Sequence, residues 1–175
     1  MNSILFFLIS LIAFNSPTED CDCKDYDSIE QAFKSSDLVF WGKVDSISFV
    51  SPKETMNSEK ANEVEKKIGD KKNSSWESPW IMKIEVKTKK IFKGQKKSKN
   101  FIIYTPRSGA SCGFRFEKDK EYVIYASNKC EFYSLLILDN TKLQGFEKEN
   151  TFWTNQCMNT GIYNKEEVKI LKKLK

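Results

Sequence analysis

The five cysteines of this chain form a close amino-terminal pair and three widely spaced positions. Cys21 and Cys23 are separated by one residue and follow an apolar segment, whereas Cys112, Cys130 and Cys157 lie far along the chain. Widely spaced cysteines after an export signal are typical of oxidised, extracellular domains. The spacing therefore predicts that disulfide bonds fasten the amino-terminal segment to the distant half of the chain.

The apolar segment, residues 4–14, contains one hydroxyl group and no charge. It is shorter than the ~20 apolar residues that a transmembrane helix needs, and it has the length of a signal-peptide core. We therefore predict that residues 1–20 are a signal peptide and leader, that the protein is secreted, and that it has no transmembrane segment. Small residues at Ala13 and Ser16 do not mark one cleavage point.

Residues 21–175 are expected to form a single domain, because about 155 residues suit one compact core and are few for two. Thirteen Phe, six Tyr and four Trp supply aromatic side chains for that core. The formal charge of +5 comes almost wholly from Lys, since Arg occurs only at positions 107 and 115. Lys lacks the planar fork that reads guanine, so binding to nucleic acid is not expected.

The chain contains no histidine. Its absence excludes Ser-His-Asp and Cys-His catalysis and every histidine-ligated metal centre. The acidic residues are scattered among lysines, which is typical of a solvated surface rather than of a catalytic carboxylate pair. We therefore expect a protein that is not an enzyme and that needs no cofactor.

Helix and strand signals open the domain. Asp27 followed by Glu30 resembles a capping box and predicts a short helix that ends near Ser36. An apolar run rich in strand-forming residues follows and predicts a long strand over residues 38–50. Residues 51–79 are rich in Lys, Glu, Asn and Ser. They predict a long exposed loop or hairpin extension that the fold does not require.

The rest of the chain reads mainly as strands. Alternating apolar residues over 80–88 predict a half-buried strand, and Asn164 is the expected cap of a final helix. Further strands are predicted at residues 101–105, 122–126 and 132–138. Together these elements indicate a mainly β protein, a closed antiparallel OB-like barrel with a short amino-terminal helix and a carboxy-terminal helix.

Several short blocks occur in the order found in a known family. They are Cys21-Asp22-Cys23, residues 36–44, Ile91-Phe92-Lys93-Gly94, Ser111-Cys112-Gly113, residues 120–126 and Asn155-Gln156-Cys157. In this order the chain resembles the tissue inhibitor of metalloproteinases family over residues 21–160. The likeness is to the amino-terminal netrin-like domain of that family and to its shorter secreted relatives.

The resemblance implies an inhibitory edge made of Cys21, Asp22 and Cys23. It implies disulfide bonds from Cys21 to Cys112 and from Cys23 to Cys157. In inhibitory members the first cysteine is the mature amino terminus, and its α-amine and carbonyl oxygen chelate the catalytic zinc of a secreted metalloproteinase. Cys21 is thus the expected zinc ligand and a zinc metalloproteinase the expected partner.

Other readings of the residues stay open. Cys130 could be free, could pair between chains, or could replace Cys157 as the partner of Cys23. Asn73 begins a glycosylation sequon that has meaning in a eukaryotic host. The alternative function is a non-inhibitory extracellular binding module, with a polyanionic matrix as partner. The lysines that would serve it are Lys87, Lys89, Lys90, Lys93, Lys96, Lys97 and Lys99.

Overall fold

Six strands form one sheet in the computed structural model. The described part of the chain consists of residues 21, 23, 26–68, 74–94, 98–107, 112–128 and 151–175. The strands are β1 (Leu38–Val50), β2 (Ile81–Lys93), β3 (Asn100–Pro106), β4 (Glu121–Ala126), β5 (Thr151–Trp153) and β6 (Gly161–Ile162). The predicted strand at 132–138 lies outside the described residues.

The strands lie side by side in the order β5-β3-β2-β1-β4-β6. The neighbouring pairs are antiparallel except β3 and β5, which are parallel. The prediction of a purely antiparallel sheet was therefore wrong at that pair. The chain passes from β4 on one side of the sheet to β5 on the other, so no tight hairpin dictates the direction of β5.

Among the described residues, one isolated backbone bridge connects the two sides of this row of strands. Ser127, which directly follows β4, and Trp153 in β5 donate N–H groups to each other's carbonyl oxygens, each at 2.8 Å. One bridge is less than a ladder, and the described strands form an open row. The fold is thus mainly β with flanking helices, and closure into a barrel stays a prediction.

The main core lies on one face of the sheet, where apolar side chains from β1 to β4 meet. Its fully buried members include Leu38, Phe40, Val44, Ile84, Val86, Phe101, Ile103 and Ile124. Gly42 lies at one of three register shifts between β1 and β2. A Cβ atom there would lie 2.5 Å from Cγ1 of Val86, so only glycine lets the two strands approach this closely.

Helices α1 (Ile29–Ser35) and α4 (Lys165–Lys173) pack on the other face of the sheet. The cap of α1 is Ser28, whose Oγ accepts a 3.2 Å hydrogen bond from the N–H of Gln31. The predicted Asp27 cap was wrong by one residue, because Ile29 is the first helical residue. Asn164 caps α4 as predicted. The described residues include no helix long and apolar enough to cross a membrane.

The segment between β1 and β2 is folded, which contradicts the predicted exposed loop. It contains a 3-10 turn (Pro52–Thr55) and the helices α2 (Ser58–Ile68) and α3 (Ser74–Glu77). Val64 and Trp76 are 0% and 1% exposed. These two side chains belong to a second core cluster, together with Met56, Ala61, Ile81, Tyr104 and Trp153. A few apolar side chains suffice to bury this segment, because all of them pack at the same end of the sheet.

Candidate functional site

Two disulfide bonds fasten the amino-terminal segment to distant parts of the domain. Cys21 is bonded to Cys112 and Cys23 to Cys157, with Cα–Cα distances of 5.6 and 5.1 Å. The bonds span 91 and 134 residues of sequence. This is the pairing that the family resemblance implied. Since the fifth cysteine is Cys130, it is the one left over from these two bonds.

Hydrogen bonds also join the segments that contain Cys112 and Cys157, the partners of the two amino-terminal cysteines. The N–H of Gln156 donates a 2.9 Å hydrogen bond to the carbonyl oxygen of Cys112. The side chain of Gln156 donates another 2.9 Å bond, to the carbonyl oxygen of Gly113. Asn155 Oδ1 accepts the N–H of Cys157 at 2.8 Å. Both disulfides are therefore anchored in one hydrogen-bonded unit rather than in two independent loops.

Buried polar groups fix this unit to the sheet. Thr105 in β3 is fully buried, and its Oγ1 accepts the N–H of Phe114 at 2.9 Å. On the other side, the hydroxyl groups of Thr154 and Thr160 both donate to the carbonyl oxygen of Tyr125 in β4. Each bond joins a segment next to a cysteine to a central strand. These hydrogen bonds fasten the segments 112–114 and 154–160, which we call the platform, to the sheet.

The carbonyl oxygen of Cys21 is held by a hydrogen bond within the amino-terminal segment. It accepts the N–H of Cys23 at 2.7 Å. Both cysteines are partly exposed. Within the described ranges, no three His, Cys, Asp or Glu residues are placed to hold a metal ion.

A sequence model described as "Tissue inhibitor of metalloproteinase" matches residues 19–134, which is more than half of the chain. The chain belongs to this family. Proteins of the tissue inhibitor of metalloproteinase family are inhibitors rather than enzymes. The matched region includes Cys21, Cys23 and Cys112 and ends before Cys157. No curated protein matches the chain.

Several predicted site residues lie outside the described part of this family member. They are Asp22, Asn73, Lys96, Lys97, Cys130 and the leader, residues 1–20. Their assigned roles stay predictions. In contrast, the supporting residues Thr105 and Gln156 were not identified from the sequence as site residues. Gln156 belongs to one of the family blocks but carries no predicted role, and an isolated threonine in a strand gives no sequence signal of a supporting role.

Most of the described lysines that were predicted to contact a polyanion form contacts with neighbouring groups of the protein. Lys87 forms a 2.5 Å ion pair with Asp45, and Lys93 donates to the carbonyl oxygens of Phe33 and Lys34 at the end of α1. Neither side chain is available as an unpaired cation. The lysines therefore do not form one continuous free cationic surface.

A third lysine of this run, in β2, belongs to a cluster with residues of β1 and β4. Lys89 pairs with Glu121 and lies 5.1 Å from the ring centre of Trp41. Trp41 Nε1 donates a 2.8 Å hydrogen bond to the same carboxylate. The hydrogen bond from Lys89 is the main cause that lowers the pKa of Glu121. This lysine is thus balanced by a carboxylate that stays ionised.

Proposed function

We propose that this chain inhibits a zinc metalloproteinase by presenting Cys21 as its amino terminus. The α-amine and the carbonyl oxygen of Cys21 would chelate the catalytic zinc of the target. One observation carries the proposal: the disulfides of Cys21 and Cys23 fasten the amino-terminal segment to the platform. A fixed terminus loses little conformational freedom on binding, which favours affinity.

The chemistry suits a zinc protease. An amine nitrogen and a carbonyl oxygen of one residue close a five-membered ring on the metal. They occupy the coordination position that a catalytic zinc keeps open for water. An α-amine with a reference pKa near 8 can lose its proton to solvent near neutral pH, and the freed lone pair then binds the metal. The hydrogen bond from Cys23 orients the Cys21 carbonyl oxygen beforehand.

This mechanism requires removal of residues 1–20 during secretion. Any residue left before Cys21 would convert its amine into an amide, which cannot ligate zinc. The inhibitory unit would then be the single domain 21–175. We further propose that this domain closes into an OB-like barrel, which is supported by the backbone bridge between Ser127 and Trp153.

Asp22 is the proposed specificity residue. By resemblance to the family, its side chain would point into an apolar pocket of the protease beside the zinc. An unpaired carboxylate buried in such a pocket costs several kcal/mol. We therefore propose that this chain prefers a protease whose pocket offers a cation or polar hydrogen, and that Asp22→Thr widens the range of targets.

The experiment compares two purified forms, one starting at Cys21 and one with a single Ala before it. Both are assayed against a panel of secreted zinc endopeptidases, with peptide mapping to verify the two disulfides. The Cys21 form should inhibit at least one protease, and the Ala form should be at least about a hundredfold weaker, or about 2.7 kcal/mol. Asp22→Thr in the Cys21 form should inhibit additional members of the panel.

Two results would contradict the proposal, one its mechanism and the other inhibition itself. Equal inhibition by both forms would show that the amine does not ligate the zinc. Complete inactivity of the Cys21 form and of its Asp22→Thr variant, with both disulfides intact, would leave the non-inhibitory binding module as the function of this domain.

A further inference from the structure

A pocket of about 350 Å³ opens where three remote segments of the chain meet. Its walls come from the second half of β2, from the two residues just before β3, and from Lys175, which follows α4. The described residues that line it are Thr88, Lys89, Lys90, Ile91, Ser98, Lys99 and Lys175. Four of these seven residues are lysines and none is acidic.

One backbone and one side-chain hydrogen bond join the three segments of this pocket. The N–H of Thr88 donates a 2.9 Å hydrogen bond to the carbonyl oxygen of Lys99. The Nζ of Lys175 donates to the carbonyl oxygen of Ile91 at 3.2 Å. These bonds bring the segments together, while the side chains of Lys89, Lys99 and Lys175 stay exposed to solvent.

The pocket lysines differ in whether an acidic side chain pairs with them. Lys89 is balanced by Glu121. Lys90 and Lys99, in contrast, form no ion pair with any acidic residue of the described ranges. A tetrahedral oxyanion would balance the charge of these two lysines and offers acceptor oxygens to their ammonium groups.

We infer that this pocket binds a sulfate or phosphate group, with Lys90 and Lys99 as the principal cationic contacts. Lysine provides a point charge for such a group rather than a bidentate grip. The site thus recognises charge and size, and a free anion or a sulfate ester on a polysaccharide carries the same chemistry. The inference does not depend on inhibition, since none of these residues belongs to the platform.

The test measures the melting temperature of the secreted protein in sodium sulfate, sodium phosphate and sodium chloride at equal ionic strength. Sulfate stabilises most proteins by exclusion from their surface, so a matched pair of variants is needed. Lys90→Gln/Lys99→Gln removes the two pocket cations. Lys66→Gln/Lys118→Gln removes the same charge from exposed positions elsewhere. Sulfate or phosphate should raise the melting temperature of the control more than that of the pocket variant.

A second arm identifies the source of the anion. Binding to heparin, a sulfated polysaccharide, is measured with the same proteins by titration calorimetry. The pocket variant should bind about tenfold more weakly and the control within about threefold of the original chain. Inorganic sulfate should compete if the polymer uses the pocket. Tighter binding of free phosphate than of heparin would assign the site to a small anion instead.

Equal behaviour of the two double variants in both arms would overturn the inference, because it would show only diffuse attraction to a basic protein. Heparin binding that inorganic sulfate does not reduce, combined with no anion effect on melting, would overturn it as well.

Discussion

The carbonyl oxygen of Cys21 accepts the backbone N–H of Cys23 at a distance of 2.7 Å. This hydrogen bond joins the two amino-terminal cysteines directly, and a disulfide bond holds each of them. The direction of the Cys21 carbonyl is thus fixed by two covalent bonds and one hydrogen bond. A group that must meet a metal ion benefits from this, because its orientation is set before binding.

The disulfide between Cys23 and Cys157 should be a major source of stability. We expect Cys23→Ser/Cys157→Ser to lower the free energy of unfolding by about 4 to 5 kcal/mol, the chain-entropy value for a loop of this length. Urea denaturation measures the change. Cys130→Ser is the matched control and should cost less than about 1 kcal/mol, because both disulfides persist. A larger loss in the control would show that Cys130 is one of the paired cysteines.

The segment between β1 and β2 should be required for folding. Trp76 is 1% exposed and packs with Val64, so Trp76→Ala should lower the free energy of unfolding by about 3 to 5 kcal/mol. Asn62→Ala, on the exposed side of α2, should change it by less than about 0.5 kcal/mol. Equal free energies of unfolding for the two variants would show that this segment is an exposed loop, as its composition suggests.

The composition of this segment explains why its structure could not be predicted. Residues 51–79 are polar enough to resemble a disordered loop, and Val64 and Trp76 are its main large buried side chains. Periodicity needs several apolar residues on one helical face before it indicates a helix. Burial here comes from contact with Tyr104 and Trp153, which lie far away in sequence. Strand β1, by contrast, was predicted correctly over residues 38–50, because it opens with the uninterrupted apolar run Leu38-Val39-Phe40-Trp41.

Gly42 should not tolerate a side chain. A Cβ atom would lie 2.5 Å from Cγ1 of Val86 and 2.9 Å from the carbonyl oxygen of Lys87. Gly42→Ala should therefore lower the free energy of unfolding by about 1 to 3 kcal/mol. Gly161→Ala is the matched control, because its Cβ atom would have no neighbour within 4 Å. Thermal or urea unfolding that ranks Gly161→Ala as the more damaging change would contradict this account.

Glu167 should make stability fall as the pH rises. Burial raises the pKa of this carboxyl, and the hydrogen bond from the Tyr125 hydroxyl only partly opposes that effect. A raised pKa means that the folded state binds the proton more tightly than the unfolded state. The stabilising contribution is complete below the ordinary Glu pKa of about 4.3 and is lost as the pH passes the raised folded value.

Urea denaturation across this pH range tests the assignment. The free energy of unfolding of the original chain, relative to Glu167→Gln, should decrease as the pH rises through that window. Tyr125→Phe removes the opposing hydrogen bond, so it should move the decrease to higher pH. A difference between the original chain and Glu167→Gln that does not vary with pH would contradict the assignment.

The candidate site was predictable in part. The order of the blocks around Cys21, Cys112 and Cys157 gave the disulfide pairing through the family resemblance, because covalent anchors retain a recognisable sequence pattern. The hydrogen bonds of Gln156 and the ion pairs of Lys87 and Lys89 were not predictable. They depend on which strands become neighbours, and that information is tertiary.

Direct evidence for zinc chelation would come from the visible absorption spectrum of an inhibited target protease whose zinc has been replaced by cobalt. Cobalt(II) reports its ligand set through this spectrum. Saturation with the form that starts at Cys21 should change the spectrum, and the form with one extra Ala should leave it unchanged. If the Cys21 form blocks the protease but does not alter the spectrum, the terminal amine and carbonyl are not ligands, and the proposed mechanism is wrong.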